Sequence, residues 1–235
     1  LWRCGGLYVW KADAALLQIS TDQGVVGIAE GSPYRGPDRL KQYTDRYIRP
    51  LLLGANIFDV DLLTNNQGHN SVAEGAWAGV NNALWDAIGK AVGQPVYKLL
   101  SGEMSPSNQV RIYASGGVCH AWYDKGEEEL IEEALRYKAA GYDTFKFRNG
   151  TSWKSSGLTM DQYIVVLEHL REAVGPDFKL VLEKFPWPYE QIVKELCPAL
   201  EALKFYWFEE PVEHTGPVAL EQHLAINEAM PSVMV

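Results

Sequence analysis

An acid at the end of a strongly apolar run is the first feature of this chain that could do chemistry. Phe205-Tyr206-Trp207-Phe208-Glu209-Glu210-Pro211 sets four large apolar residues before two carboxylates and a proline. Such a run reads as a strand buried among helices, with its carboxyl end opening into a polar site. Side chains alternate along a strand, so Phe205, Trp207 and Glu209 are expected on one face and Tyr206 and Phe208 on the other. Glu209 is then the acid aimed at the strand's mouth. The competing reading is a strand-end acid that caps the next helix. Lys179-Leu180-Val181-Leu182-Glu183 repeats the pattern after the turn-like Gly175-Pro176-Asp177. Between the two, Ile192, Val193, Leu196, Leu200 and Leu203 fit one face of a helix from Glu190 to about Lys204. A strand–helix–strand unit makes a parallel pair with a right-handed crossover. Glu183 and Glu209 therefore converge at one end, where they repel unless a proton or cation lies between them. Oxygen-only ligands on rigid strands suit magnesium, with manganese as the alternative, better than zinc.

Two cations join them. In Gly141-Tyr142-Asp143-Thr144-Phe145-Lys146-Phe147-Arg148, Lys146 and Arg148 share one face while Phe145 and Phe147 take the other. A solvated pair on an edge strand is the bland alternative, and the flanking aromatics argue against it. The preceding helix, Glu127 to Ala140, opens on acids and stops at Gly141, as the macrodipole and a glycine terminator require.

The elements that must position these residues follow the same logic. Before about Met104 the chain reads as a hairpin flanking Asp22-Gln23-Gly24, then helices at 37–48, 57–66 and 74–92. Ser101 to Asn108, rich in serine, proline and acid, marks a boundary. Beyond it strands and helices alternate: 110–114, 127–140, 144–148, 160–174, 179–183, 190–203, 205–209 and 220–229. Alternating βα units predict a parallel α/β architecture.

These pieces resemble the enolase superfamily, in its mandelate racemase and muconate lactonizing enzyme branch. The resemblance also covers Thr21 to Glu30, similar to the family's early hairpin. Ala78 to Ala91, followed by Gly93-Gln94-Pro95-Val96-Tyr97 and Leu99-Leu100-Ser101-Gly102, looks like its helix from capping domain to barrel. The fold implied is α/β: an α+β capping domain over residues 1–104, then over 105–235 the first four to five strands of a (β/α) barrel. A closed barrel has eight strands, so the chain is expected to be a truncated member. The family's third metal carboxylate and later acid–base residues would fall past the last residue, Val235.

The resemblance implies removal of a proton next to a substrate carboxylate, aided by a divalent metal. Glu183 and Glu209 match the first two metal positions, with Glu210 as a neighbour of the site or a helix-capping group. Lys146 matches the first lysine of the family's paired-lysine motif, an electrostatic partner of the substrate carboxylate. Arg148 stands where the second lysine, often the base, would be. Tyr34, Arg35, Trp2 and Arg3 match stretches where the cap reaches substrate, and His120, after the first barrel strand, could reach the mouth. Three departures matter. Arginine stays protonated and is a poor base. Glu183 replaces the usual aspartate. Lys184 and Phe185 follow it where a small residue and asparagine are usual, and an ammonium there would weaken metal binding. Without a lysine base, one-sided chemistry is favoured: a lyase dehydrating a sugar acid. A racemase, epimerase or cycloisomerase of the same branch, or an inactive remnant, is the alternative.

Composition bounds the rest. Hydrophobic residues make up 47% of 235, enough for a substantial core, and the net charge of −9 carries no basic stripe for nucleic acid. No apolar run reaches membrane-span length. Cys4, Cys119 and Cys197 form no metal or disulfide pattern, so a reducing cytoplasm is expected. No phosphate loop is present, so no nucleotide cofactor is expected. By resemblance, the full-length form is expected to be a homo-oligomer acting on a small carboxylate.

Overall fold

The computed structural model describes residues 2–4, 7–9, 13–32, 36–64, 70–102, 109–117, 127–148, 157–183, 187–213 and 216–235. They form two compact units: Lys11–Val110, and Leu1–Trp10 together with Arg111–Val235. Strands β1 (Trp2–Cys4) and β2 (Leu7–Val9) pair antiparallel.

In the unit Lys11–Val110, β3 (Ala15–Ser20) and β4 (Val26–Gly31) make the expected hairpin. The turn needs Gly24, whose φ is +79°, and the Thr21 hydroxyl accepts from the Val25 amide at 3.0 Å. The long helix Ser71–Val92 packs on this hairpin. The sequence reading begins it at Glu74, but Asn70 caps it earlier by accepting from the Val72 and Ala73 amides. A Cβ on Gly27 would lie 2.1 Å from the Ala83 carbonyl, so glycine lets strand and helix approach. Asp86 accepts from the Ile28 amide at 2.8 Å and Lys90 donates to the Val26 carbonyl at 2.9 Å, tying the helix to β4.

The second unit holds the parallel sheet. Strands β5 (Ala114–Gly116), β6 (Thr144–Arg148), β7 (Lys179–Glu183) and β8 (Trp207–Glu209) lie side by side in chain order. Met234 adds a parallel bridge to Trp207. Helices Glu128–Ala139 and Met160–Val174, and the helical stretch 189–202, alternate with the strands, and Ala219–Ala229 follows β8. The fold is α/β, part of a (β/α) barrel with a hairpin-and-helix region before it, as expected.

One sheet face is a dry core. Phe145, Phe147, Leu180, Leu182 and Phe208 are buried against Leu130, Tyr163, Leu167, Leu170, Leu196 and Ile226 of the helices. Each such side chain stabilises the fold by about 1.5–3 kcal/mol. The opposite face carries Lys146, Arg148, Glu183, Trp207 and Glu209.

Two expectations need correction. Strand β5 starts at Ala114 and not Val110, because pairing with β6 begins at Ala114 opposite Phe145. Val110 and Ile112, the apolar residues that prompted the earlier start, are 81% and 65% exposed. Phe205 does not share the face of Trp207. Its amide still bonds the Leu200 carbonyl and Lys204 has φ +53°, so this is a helix-terminating turn in which strand alternation has not begun. Phe205 packs with Phe147 in the helix-side core, ring centroids 6.2 Å apart.

The stretches 37–52 and 189–202 each contain a π turn, at Thr44–Ile48 and Ile192–Leu196. Each is followed by Arg49-Pro50 or Cys197-Pro198. A helical proline ring clashes with the carbonyl four residues earlier, and a widened turn relieves that clash. Arg49 and Cys197 donate instead to the Thr44 and Ile192 carbonyls.

Arg171 braces the approaches to β7 and β8. It donates to the carbonyls of Leu203, Gly175, Phe178 and Lys204 at 2.9, 2.9, 2.6 and 3.1 Å. No described helix is long and apolar enough to cross a membrane.

Candidate active site

Register aligns the charged residues. Arg148 on β6, Glu183 on β7 and Glu209 on β8 are direct partners in one row, and Lys146, Val181 and Trp207 form the row two residues before it. Because period-two alternation gives both rows the same face, the long Lys146 side chain can reach forward between the two carboxylates. Its Nζ lies 3.0 Å from Glu183 Oε2 and 2.9 Å from Glu209 Oε1. Arg148 Nη2 pairs with the other oxygen of Glu183, Oε1. The remaining oxygen, Glu209 Oε2, accepts from the Trp207 indole Nε1 at 3.1 Å. All four carboxylate oxygens are thus engaged.

The environment strengthens these contacts. The side chains of Lys146 and Glu183 are only 12% and 8% exposed, whereas Glu209 is 33% and Arg148 49%. Charges inside the sheet's mouth therefore interact in a lower dielectric than on the surface. Tyr113 faces the ammonium from 5.9 Å and meets the Trp207 ring edge-on at 5.3 Å. Burial pushes the Glu209 carboxyl up, but the bonds from Lys146 and Trp207 and the charges of Lys146 and Arg148 outweigh it. Its pKa is held below the ordinary value.

Local backbone shapes the neighbouring loop. Gly117, just past β5, has φ +83°, and a Cβ there would lie 2.6 Å from the Arg148 carbonyl. Its amide donates to Glu133 on helix Glu128–Ala139 at 3.0 Å, which fixes Gly117 beside the end of β6.

Of the residues anticipated from sequence, Lys146, Arg148, Glu183 and Glu209 are brought together. Glu210 is exposed with φ +49° immediately before Pro211, and takes no part in this ion-pair cluster among the described residues. Trp187 packs, partly buried, against the helix-side core. Tyr34, Arg35 and His120 lie outside the described residues, as do Lys184 and Phe185. Trp207 and Tyr113 were not anticipated as site residues. Trp207 had a usable signal, because it stands two positions before Glu209 on the same strand face.

Residues 8–101 match the mandelate racemase/muconate lactonizing enzyme N-terminal domain. Residues 129–234 match the enolase C-terminal domain-like family. The chain belongs to the enolase superfamily, in its mandelate racemase/muconate lactonizing enzyme branch. Among curated relatives of this superfamily member, arabinonate dehydratase of Saccharolobus solfataricus is 29% identical over 96% of this chain and 59% of its own length. D-galactonate dehydratase of Xanthomonas oryzae pv. oryzae is 28% identical over 83% of this chain and 51% of its own. The chain thus spans a little over half the length of these relatives. A mandelate racemase/muconate lactonizing protein from Paracoccus denitrificans, solved with magnesium, superposes with a TM-score of 0.73 at 28% identity, covering 94% of this chain and 58% of that one.

The two carboxylates of the cluster are donors of the kind a hard divalent cation takes. Among the described residues no three His, Cys, Asp or Glu side chains form a metal cage. Magnesium, however, is commonly held by one or two carboxylates, with water and substrate completing its shell. In this cluster one positive charge, the ammonium of Lys146, reaches oxygens of both Glu183 and Glu209.

Proposed function

We propose that this chain carries the cation-holding part of a site that removes the proton next to a carboxylate and dehydrates a sugar acid. The observation that carries the reading is the single ammonium of Lys146 within 3.0 Å of both strand-end carboxylates. It supports a mouth in which Glu183 and Glu209 hold magnesium. The dehydratase names of the arabinonate and galactonate relatives support the reaction class.

A bound magnesium would supply a Lewis acid for negative charge building on the substrate carboxylate. Lys146 adds a fixed positive charge beside that carboxylate, in surroundings where such charge is worth more than in water. Arg148, half-exposed at the edge of the cluster, offers a planar fork of donors to a carboxylate or hydroxyl. It cannot accept the substrate proton. A racemase needs a base on each side of the carbon, and arginine on this side leaves only one. Dehydration needs only one base: the C–H proton leaves, the β C–O bond breaks, and the oxygen departs as water.

The test is turnover, by the full-length protein that contains this chain, of a sugar-acid panel that includes arabinonate and galactonate, with and without magnesium. The reading expects a 2-keto-3-deoxy acid, formed only with magnesium and lost in Glu209→Gln. Epimerised acid with no loss of water, or turnover indifferent to chelation, would contradict it.

A further inference from the structure

All four oxygens that would bind a metal already have donors of this chain's own. Arg148 holds one oxygen of Glu183, Trp207 holds one of Glu209, and Lys146 holds the remaining oxygen of each. Among the described residues of this cluster two positive side chains balance two negative ones, so the cluster itself carries no net charge with which to attract a further cation. Each carboxylate oxygen keeps a second lone pair, so these donors oppose a dication by charge and crowding, and the donor seated between the two glutamates opposes it most. Among the described residues Lys146 alone touches both. Magnesium sits about 2.1 Å from its oxygens, so it cannot share Glu183 Oε2 and Glu209 Oε1 with an ammonium 3.0 and 2.9 Å from them without the two cations standing nearly in contact.

The donors also differ in how easily they move. The Trp207 ring is wedged against Tyr113 and its residue lies within β8. Lys146 has a flexible four-carbon stem, and among the described residues it meets, besides the two carboxylates, the face of Tyr113. An incoming carboxylate offers the ammonium a replacement partner.

We propose that Lys146 is an internal competitor for the divalent cation, and that a carboxylate ligand raises the cation's affinity by drawing Lys146 off Glu183 and Glu209. This rests on the reading of Glu183 and Glu209 as cation ligands. It makes metal and carboxylate binding mutually reinforcing, because linkage requires that each raise the other's affinity by the same factor.

The experiment is titration of the protein with Mn2+, following free Mn2+ by electron paramagnetic resonance, with and without D-gluconate as the carboxylate probe. In the natural chain gluconate should tighten Mn2+ about fivefold or more, the lower range of measured couplings. Lys146→Met should bind Mn2+ about tenfold more tightly without gluconate and gain little when it is added. Arg148→Met makes the same change of charge but leaves the bridge in place, so it should tighten Mn2+ distinctly less. Lys146→Gln replaces Lys146→Met if thermal melting shows that the latter does not fold. Affinity unchanged in the Lys146 variants, or equal tightening by Lys146→Met and Arg148→Met, would overturn the competition. Mn2+ binding undiminished in Glu209→Gln would instead overturn the metal assignment itself, and the competition with it.

Discussion

The indole nitrogen of Trp207 donates to Glu209 Oε2 at 3.1 Å, from two residues earlier on the same strand. Strand alternation makes such a pair neighbours on one face, and the ring is braced by Tyr113. Glu209 is therefore held from two sides, by an indole on its own strand and by the Lys146 ammonium from two strands away.

Trp207→Phe keeps an aromatic ring against Tyr113 but removes the N–H. It should cost about 1–2 kcal/mol, as expected for a hydrogen bond to a charged group at a partly open site. Urea melts of the variant and the natural chain measure this, and an unchanged midpoint would show that the bond contributes nothing.

The pH dependence follows from the lowered pKa of Glu209. Burial raises it, but Lys146, Trp207 and Arg148 together lower it further. A group whose folded pKa is depressed stabilises fully above its unfolded value and loses that contribution as pH falls through the folded one. Stability from Glu209 should be complete above the ordinary glutamate range, about pH 4–5, and be lost progressively as pH falls below it. Glu209→Gln should flatten that part of the acid limb in melts taken from that range downward.

Arg171 predicts a purely structural loss. Arg171→Met leaves the carbonyls of Leu203, Gly175, Phe178 and Lys204 without the guanidinium they share. Stability should fall by about 2–4 kcal/mol. Lysine should rescue little, since a compact ammonium cannot reproduce a planar fork. Mn2+ affinity at the opposite strand ends should not change.

Cys197 is buried, and desolvation pushes its thiol pKa up to about 12. At pH 8 the reactive thiolate is scarce, so native protein should resist iodoacetamide at this position and react once unfolded. Peptide mass mapping before and after urea checks this.

The parts of the fold that were legible from sequence are those where burial and charge change at one residue. Thr144–Arg148 and Lys179–Glu183 alternate or run apolar up to a charged end, and both strands have the anticipated bounds. The convergence of Lys146, Glu183 and Glu209 followed from parallel pairing. Elsewhere a local pattern competed with tertiary pairing. Val110 and Ile112 alternate like a strand, yet among the described residues pairing with β6 begins only at Ala114. Phe205 follows a helix whose last turn had not ended. The π turns were foreshadowed by Pro50 and Pro198, but a hydrophobic periodicity cannot register a widened turn. The Trp207 contact depends on a ring rotamer, which alternation alone does not specify.

The most direct test is a crystal of the protein soaked in Mn2+ and measured for anomalous scattering. The account predicts one peak about 2.1 Å from an oxygen of Glu183 and an oxygen of Glu209, with the Lys146 ammonium moved off both. A peak elsewhere, or none with Lys146 still bridging the two carboxylates at saturating Mn2+, would contradict it.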